Sequence, residues 1–376
     1  METAMVYVHI PFCVQKCAYC DFLSFPGRPA EEMKAYIRRV CEDIRDFEGE
    51  GRKISSIFFG GGTPSLIGGE PLADIMSTIR SRFELTEDCE ISLEMNPCTV
   101  SDVLLKEVRE AGFNRLSLGV QSFHDEELKA LGRVHDRKTA LQAIERIRKA
   151  DFDNFNIDLM SAVPYQTAER WEEVLREAVQ AGPAHISAYS LILEEGTPFY
   201  DRYSAGVYPL PDEDEERRMY HRTAQILKEA GYERYEISNY ALPGRECRHN
   251  SGYWKRREYY GFGLGAASLV GSERRKVTED IRVYITKSEP LFRSENLSIE
   301  DEMSEFMFLG LRMMEGVRED GFQKAFGRSL TEAYGPQLRK LTDLGLLKKC
   351  GVGVSAGYAL TDRGIDVSNT VFCEFV

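Results

Sequence analysis

Three cysteines fall within eight residues, in Cys13-Val14-Gln15-Lys16-Cys17-Ala18-Tyr19-Cys20. Thiolates this close together in a loop can wrap one face of a cubane cluster. Three of them ligate only three of its four irons, which leaves one iron for an outside ligand. A structural zinc site is the plainer alternative, but zinc takes a closed tetrahedral set, and no fourth cysteine or histidine follows at finger spacing. A dithiol redox role for Cys17 and Cys20 leaves Cys13 and its loop unexplained. The spacing therefore points to a [4Fe–4S] cluster on Cys13, Cys17 and Cys20. Cys41, Cys89, Cys98, Cys247, Cys350 and Cys373 are scattered and read as packing residues.

A second chemical feature is Gly60-Gly61-Gly62-Thr63-Pro64, directly after Ile57-Phe58-Phe59. Consecutive glycines let the backbone approach a ligand closely and leave N–H and C=O groups unobstructed. The run lacks the later glycine of a dinucleotide fingerprint and the Gly-Lys pair of a phosphate-binding loop, so a nucleotide triphosphate is a weak reading.

These loops need elements to position them. Strand-like runs occur at Met5 to Ile10, Ile54 to Phe59, Glu90 to Met95, Arg115 to Gly119, Phe155 to Met160 and His185 to Leu191. Between them, Glu31 to Phe47, Glu70 to Arg82, Ser101 to Ala111, Arg137 to Ala150 and Ala168 to Ala181 carry helical periodicity, with Ser101 and Asp102 placed to cap the third. Strand-helix alternation predicts an α/β fold on a parallel sheet. By pattern alone it is either an open doubly wound sheet or a partial barrel. Both gather their sites at the strands' C-terminal ends, where Cys13, Gly60 to Gly62, Glu94, Gln121 and Asp158 fall. From about Ile299 the pattern changes to helical stretches Ile299 to Met314 and Leu330 to Leu346. Val352-Gly353-Val354 and Tyr358-Ala359-Leu360 then read as a hairpin, suggesting a small winged-helix-like α+β domain.

With 376 residues and 43% hydrophobic content the chain can bury two cores. A net charge of −13 argues against nucleic acid as a partner. No apolar run is long enough to span a bilayer, and Met1-Glu2-Thr3 leads straight into the first strand. The expectation is a cytoplasmic protein, with room for peripheral contact with a membrane. Nine cysteines, an odd number with three clustered, suit metal chemistry in a reducing compartment better than a disulfide framework.

Tyr7-Val8-His9-Ile10-Pro11-Phe12-Cys13, the cysteine triplet and the glycine loop together resemble the radical S-adenosylmethionine (SAM) superfamily, and specifically its oxygen-independent coproporphyrinogen III oxidase group. The similarity continues through Glu94-Met95-Asn96-Pro97, Leu116 to Phe123, Leu131-Gly132-Arg133, Asn156-Ile157-Asp158-Leu159 and Tyr235 to Ala241, in that order. The resemblance implies a partial (β/α)6 barrel of the TIM type. Residues 1–195 would be the barrel with its cluster loop, 196–298 an extension, and 299–376 the C-terminal domain. It also implies that SAM chelates the open iron through its amine and carboxylate. Tyr7 and Tyr19 would lie near the cluster and adenine. Gly61, Gly62 and Thr63 would face the methionine moiety, and Glu94, Gln121, Arg133 and Asp158 would reach its polar groups and ribose. Arg133 suits a carboxylate; Glu94 or Asp158 suits ribose hydroxyls or an ammonium.

Three departures from the oxidases stand out. Asp21-Phe22 occupies the place of their further cysteine, the chain begins a few residues before its first strand, and Arg248-His249-Asn250-Ser251-Gly252-Tyr253-Trp254 contains the His-Asn-x-x-Tyr-Trp signature of the HemW-type branch, the haem (heme) chaperones. This resemblance implies a protein that carries haem as cargo to acceptor proteins, with the cluster, its reductant and SAM enabling or regulating transfer. His249 would be a candidate haem-iron ligand, and Tyr253 and Trp254 candidate porphyrin contacts. The competing reading is an enzyme whose reduced cluster cleaves SAM to begin oxidative decarboxylation of a porphyrinogen in porphyrin biosynthesis. A third, a redox sensor, leaves Glu94 to Asp158 without a task. His9 is expected to support the cluster loop, while His124, His135, His185 and His221 show no partner pattern.

Overall fold

Each of the six branched and aromatic runs forms a strand: β1 (Ala4–Ile10), β2 (Ile54–Gly61), β3 (Leu85–Met95), β4 (Arg115–Gln121), β5 (Phe155–Ser161) and β6 (His185–Ser190). They are followed by α1 (Ala30–Asp46), α2 (Gly69–Arg82), α3 (Asp102–Glu110), α4 (Asp125–Ala130), α5 (Arg137–Lys149), α6 (Ala168–Ala181), α7 (Pro198–Ser204) and α8 (Glu213–Glu229). The structure is a computed structural model and describes residues 3–49, 51–287, 291–351 and 356–376. Helix starts follow local chemistry: the Ser101, Asp136 and Thr167 side chains accept backbone N–H groups of α3, α5 and α6.

β1 to β6 lie side by side in chain order, all parallel. A doubly wound sheet would reverse its order at a switch point. This one never does, which resolves the two architectures in favour of the partial (β/α)6 barrel. The strands also alternate. Val6, Val8, Ile57, Phe59, Leu93 and Leu118 pack against the helices in the larger core. The intervening Tyr7, Ser56, Phe58, Glu90, Glu94, Arg115, Ser117, Asn156, Asp158 and His185 take the opposite face, the barrel interior.

The middle of the chain extends the sheet at both edges. β7 (Glu233–Arg234) and β8 (Asn239–Ala241) add antiparallel strands beyond β6. After α9 (Arg248–Trp254), β9 (Tyr259–Phe262) returns to pair in parallel with β1, Met5 opposite Tyr259. β10 (Ala267–Val270), β11 (Glu273–Val277), α10 (Ile281–Thr286) and β12 (Phe292–Asn296) follow, and the whole sheet has 12 strands. The seventh parallel strand, β9, was not expected from sequence.

From α11 (Ile299–Gly310) onward a second core forms around Met303, Met307, Phe322, Leu330, Leu338 and Leu341. It holds α12 (Glu319–Phe326) and α13 (Leu330–Asp343). A three-stranded antiparallel sheet accompanies them, made of β13 (Val317–Arg318), β14 (Leu347–Cys350) and β15 (Gly357–Leu360). The second strand of the expected hairpin is β15; its first, Val352-Gly353-Val354, lies outside the described residues. α12 was missed because Gly321 interrupts a short apolar pattern. The three helices with their small sheet have the winged-helix-like arrangement. No helix among the described residues is long and apolar enough to cross a membrane.

Candidate functional site

The cysteine loop leaves β1 at the barrel mouth and folds back over it. Its return is tied down by His9, whose Nε2 lies 2.9 Å from the Leu23 carbonyl. His9 Nδ1 is 3.0 Å from the Tyr7 hydroxyl. A carbonyl only accepts, so Nε2 carries the proton and Nδ1 accepts from Tyr7. His9 thus supports the cluster loop, as expected, and fixes Tyr7 as well. The glycine loop runs directly beneath: the Gly62 and Thr63 amides donate to the Ile10 and Phe12 carbonyls at 2.9 and 2.8 Å. A Cβ on Gly62 would sit 2.7 Å from the Phe12 oxygen and 3.0 Å from Cys13 Sγ, so only glycine fits under the cysteine.

The expected site residues converge here. Thr63 Oγ1 reaches Cys13 Sγ at 3.7 Å. Arg133 donates to Cys17 Sγ at 3.3 Å and to the Gly119 carbonyl at 2.5 Å. Tyr19 lies against the same guanidinium. Gln121, with φ 71°, turns its amide back over Gly119. Glu94 Oε2 accepts from the Gly61 amide at 3.2 Å. Deep placement in the mouth, with the Asp158 charge facing it, pushes the Glu94 carboxyl up to about 8. Asp158 is also raised by burial, but Asn156 and Ser117 oppose the shift by donating to it. Two neighbouring carboxyls in one mouth thus differ in environment: Glu94 is the one held protonated up to about 8, while donors to Asp158 oppose its shift.

The three thiols are unpaired with one another. Burial raises the Cys13 and Cys20 thiols, and metal binding would have to displace those protons. Among the described residues no three His, Cys, Asp or Glu side chains converge tightly enough for a single ion. The donor set fits: three soft sulfurs, a glycine floor that a methyl group would fill, and cofactor-facing groups of both hydrogen-bond polarities.

His249, Tyr253 and Trp254 fall elsewhere, at the barrel floor. Glu90 accepts the Arg248 and His249 amides, both at 3.0 Å, anchoring the start of α9 inside the sheet. His249 is fully buried and stacked on Phe58 with ring centroids 5.2 Å apart. Its Nδ1 is 2.9 Å from Ser56 Oγ and its Nε2 3.1 Å from the Tyr253 hydroxyl. Burial, then the Arg115 charge, lowers it to about 3. Both nitrogens are thus engaged and neither meets solvent, so ligation of haem iron by His249 would require its contact with Ser56 or Tyr253 to open. Tyr253 and Trp254 are half-buried. Tyr253 lines a cavity of about 270 Å³ with Arg256, Tyr259 and Arg274, and the Arg312 guanidinium lies 4.3 Å from the Trp254 ring centroid.

Sequence reasoning missed the interior polar layer of Arg115, Ser117, Asn156, His185 and Tyr235. The signal was present: polar residues alternate with aliphatic ones along each strand, in a fold whose interior could have been wholly apolar.

Residues 7–178 match the Radical SAM superfamily and residues 297–367 the HemN C-terminal domain. The heme chaperone HemW of Lactococcus lactis is 37% identical over 374 residues, covering 98% of this chain and 96% of that protein. The heme chaperone HemW of Escherichia coli is 34% identical, covering 92% of each. The solved structure of Escherichia coli coproporphyrinogen III oxidase matches with a TM-score of 0.83 and 21% identity, over 100% of this chain and 90% of that one, a likeness of fold. With the three-cysteine loop at the barrel mouth and relatives similar from end to end, the chain belongs to the HemW family within the radical SAM superfamily.

Proposed function

We propose that the protein is a haem chaperone that binds haem and passes it to acceptor proteins, and that it carries a [4Fe–4S] cluster on Cys13, Cys17 and Cys20 with exchangeable SAM. The observation that carries the cofactor half is the Gly62 floor beneath Cys13, with Arg133, Glu94 and Asp158 directed at the space beside it. The bound cluster would supply one-electron chemistry at its open iron, with a reductant as a further partner. The chain's own residues hold and orient: Arg133 secures the Cys17 side of the loop and can reach a carboxylate, and Glu94 and Asp158 can accept from an ammonium or hydroxyls.

The haem half rests on what the relatives are named for and on the floor segment. Tyr253 and Trp254 are the proposed contacts. The cavity beside Tyr253 is below the usual range of about 300–1,000 Å³ for small-molecule clefts, so haem would dock there by an edge. His249 holds the floor in place.

One anaerobic preparation tests the whole reading. After cluster reconstitution, haem binding, 5′-deoxyadenosine formation and coproporphyrinogen III conversion are measured together. Haem binding without conversion is expected, and robust protoporphyrinogen formation would replace the carrier with the oxidase. Cys13→Ala, Cys17→Ala and Cys20→Ala should each lose iron and sulfide, while Cys41→Ala and Cys350→Ala should not. Trp254→Ala should weaken haem binding with the cluster spectrum intact; full affinity in that variant would move the haem site elsewhere.

A further inference from the structure

Asp158 reaches the barrel mouth from the middle of β5, and its orientation is set from below. Asn156 Nδ2 donates to Asp158 Oδ1 and to Ser117 Oγ, both at 2.7 Å, and Ser117 donates to Asp158 Oδ2 at 3.1 Å. Both carboxylate oxygens are therefore fixed. The amide oxygen of Asn156 is engaged in turn, with His185 Nδ1 at 2.7 Å and Ser187 Oγ at 3.2 Å. An amide oxygen only accepts, so His185 carries its proton on Nδ1, and Nε2 must accept. The donor is Tyr235, whose hydroxyl lies 2.8 Å from Nε2. That hydroxyl accepts the Cys247 amide at 3.4 Å. His185 is fully buried, and burial followed by the Arg115 charge holds it well below the usual imidazole range, so the neutral form this pattern needs is the stable one.

Every hydrogen in this chain points the same way, from the floor to the mouth: Cys247 N–H to Tyr235, Tyr235 O–H to His185, His185 N–H to Asn156, Asn156 N–H to Asp158. Its lower end is structurally loaded. Cys247 immediately precedes α9, which carries His249 to Trp254, and the Tyr235 carbonyl accepts the Met314 amide of the C-terminal domain at 3.0 Å.

We infer that Tyr235, His185 and Asn156 are positioning residues for the SAM site, holding Asp158 in its binding orientation and coupling that site to the floor segment and the C-terminal domain. This rests on Asp158 as a SAM contact. Removing one neutral hydrogen bond from such a chain should shift affinity by about three- to tenfold, and the shift should vanish when Asp158 is absent, since nothing is then left to orient.

The test is a double-mutant cycle on anaerobically reconstituted full-length protein. SAM dissociation constants are measured calorimetrically for wild type, Tyr235→Phe, Asp158→Ala and the double variant, with iron content, visible spectrum and melting temperature recorded for each. Expected are unchanged iron and spectrum throughout, a three- to tenfold loss for Tyr235→Phe, a larger loss for Asp158→Ala, and no further loss in the double variant. Should Tyr235→Phe fail to fold, His185→Gln in the same cycle reads the same coupling. Unchanged SAM affinity in folded Tyr235→Phe, or additive losses in the double variant, overturns the positioning role and leaves the SAM site standing. Wild-type affinity in Asp158→Ala removes Asp158 from the site, and the inference with it.

Discussion

Glu94 and Asp158 illustrate how two like residues in one mouth acquire different properties. Glu94 takes one backbone N–H while facing an acid, and Asp158 is held by two side-chain donors, Asn156 and Ser117. The Glu94 carboxyl, raised from 4.5 to about 8, is more easily protonated folded than unfolded. The folded state therefore binds the extra proton between those values, and stability of the metal-free protein should fall as pH rises through that window. Comparing urea midpoints at about pH 5 and about pH 9, the wild type should lose more than Glu94→Gln; equal losses would mean that the mouth solvates Glu94 freely.

At the scale of elements, the loop after β1 and the loop after β2 act as one unit, since the Gly62 and Thr63 amides cap carbonyls of the cysteine loop. Gly62→Ala should keep the circular dichroism of the barrel but lose iron and sulfide on reconstitution, because its methyl group would press on Phe12 and Cys13 while the helix-side core is untouched. A variant that retained full iron would show that the loops move apart cheaply. The first six strands and the helices α1, α2, α3, α5 and α6 were legible because aliphatic residues recur with period two or 3.6, whereas α4, α7 and α8 were not read. The cysteine triplet was legible because its three thiols are local in sequence. Two features were not. The interior of the barrel joins Asn156 to His185 by strand register and Ser56 to His249 by the docking of α9, and neither contact follows from local pattern. The burial of His249 was likewise hidden: its motif tells which residues accompany it, but its inward placement depends on Glu90 anchoring α9.

Across the whole molecule the two cores are joined by charge and by backbone. Arg256 and Arg274 converge on Glu305 of α11, at 2.9 and 2.5 Å, and Glu236 pairs in an isolated bridge with Met313. Glu305 is mostly buried, and its removal leaves Arg256 with Glu302 and Arg274 with Glu295 as their remaining carboxylates. Glu305→Ala should cost about 1–3 kcal/mol and split the calorimetric transition, with the C-terminal unit melting first. A single, unshifted transition would mean that apolar contacts alone hold the joint. Of this arrangement the existence of a separate terminal unit was visible in the changed periodicity from Ile299, whereas the arginines that fasten it lie in a stretch without a regular pattern.

The pairing of β9 with β1 has a consequence for how the chain is made. Tyr259 follows Met5 by about 250 residues, so during synthesis at about 5–20 residues per second β1 waits roughly 10–50 s for its second neighbour. Until then its row of backbone N–H and C=O groups is an open edge next to the cysteine loop, and an open edge is a template for pairing with other chains. The loop, residues 13–20, has been synthesised before that interval begins. Nascent chains of this topology therefore have a period in which cluster assembly and self-association compete at neighbouring surfaces, and the arrival of β9 ends it.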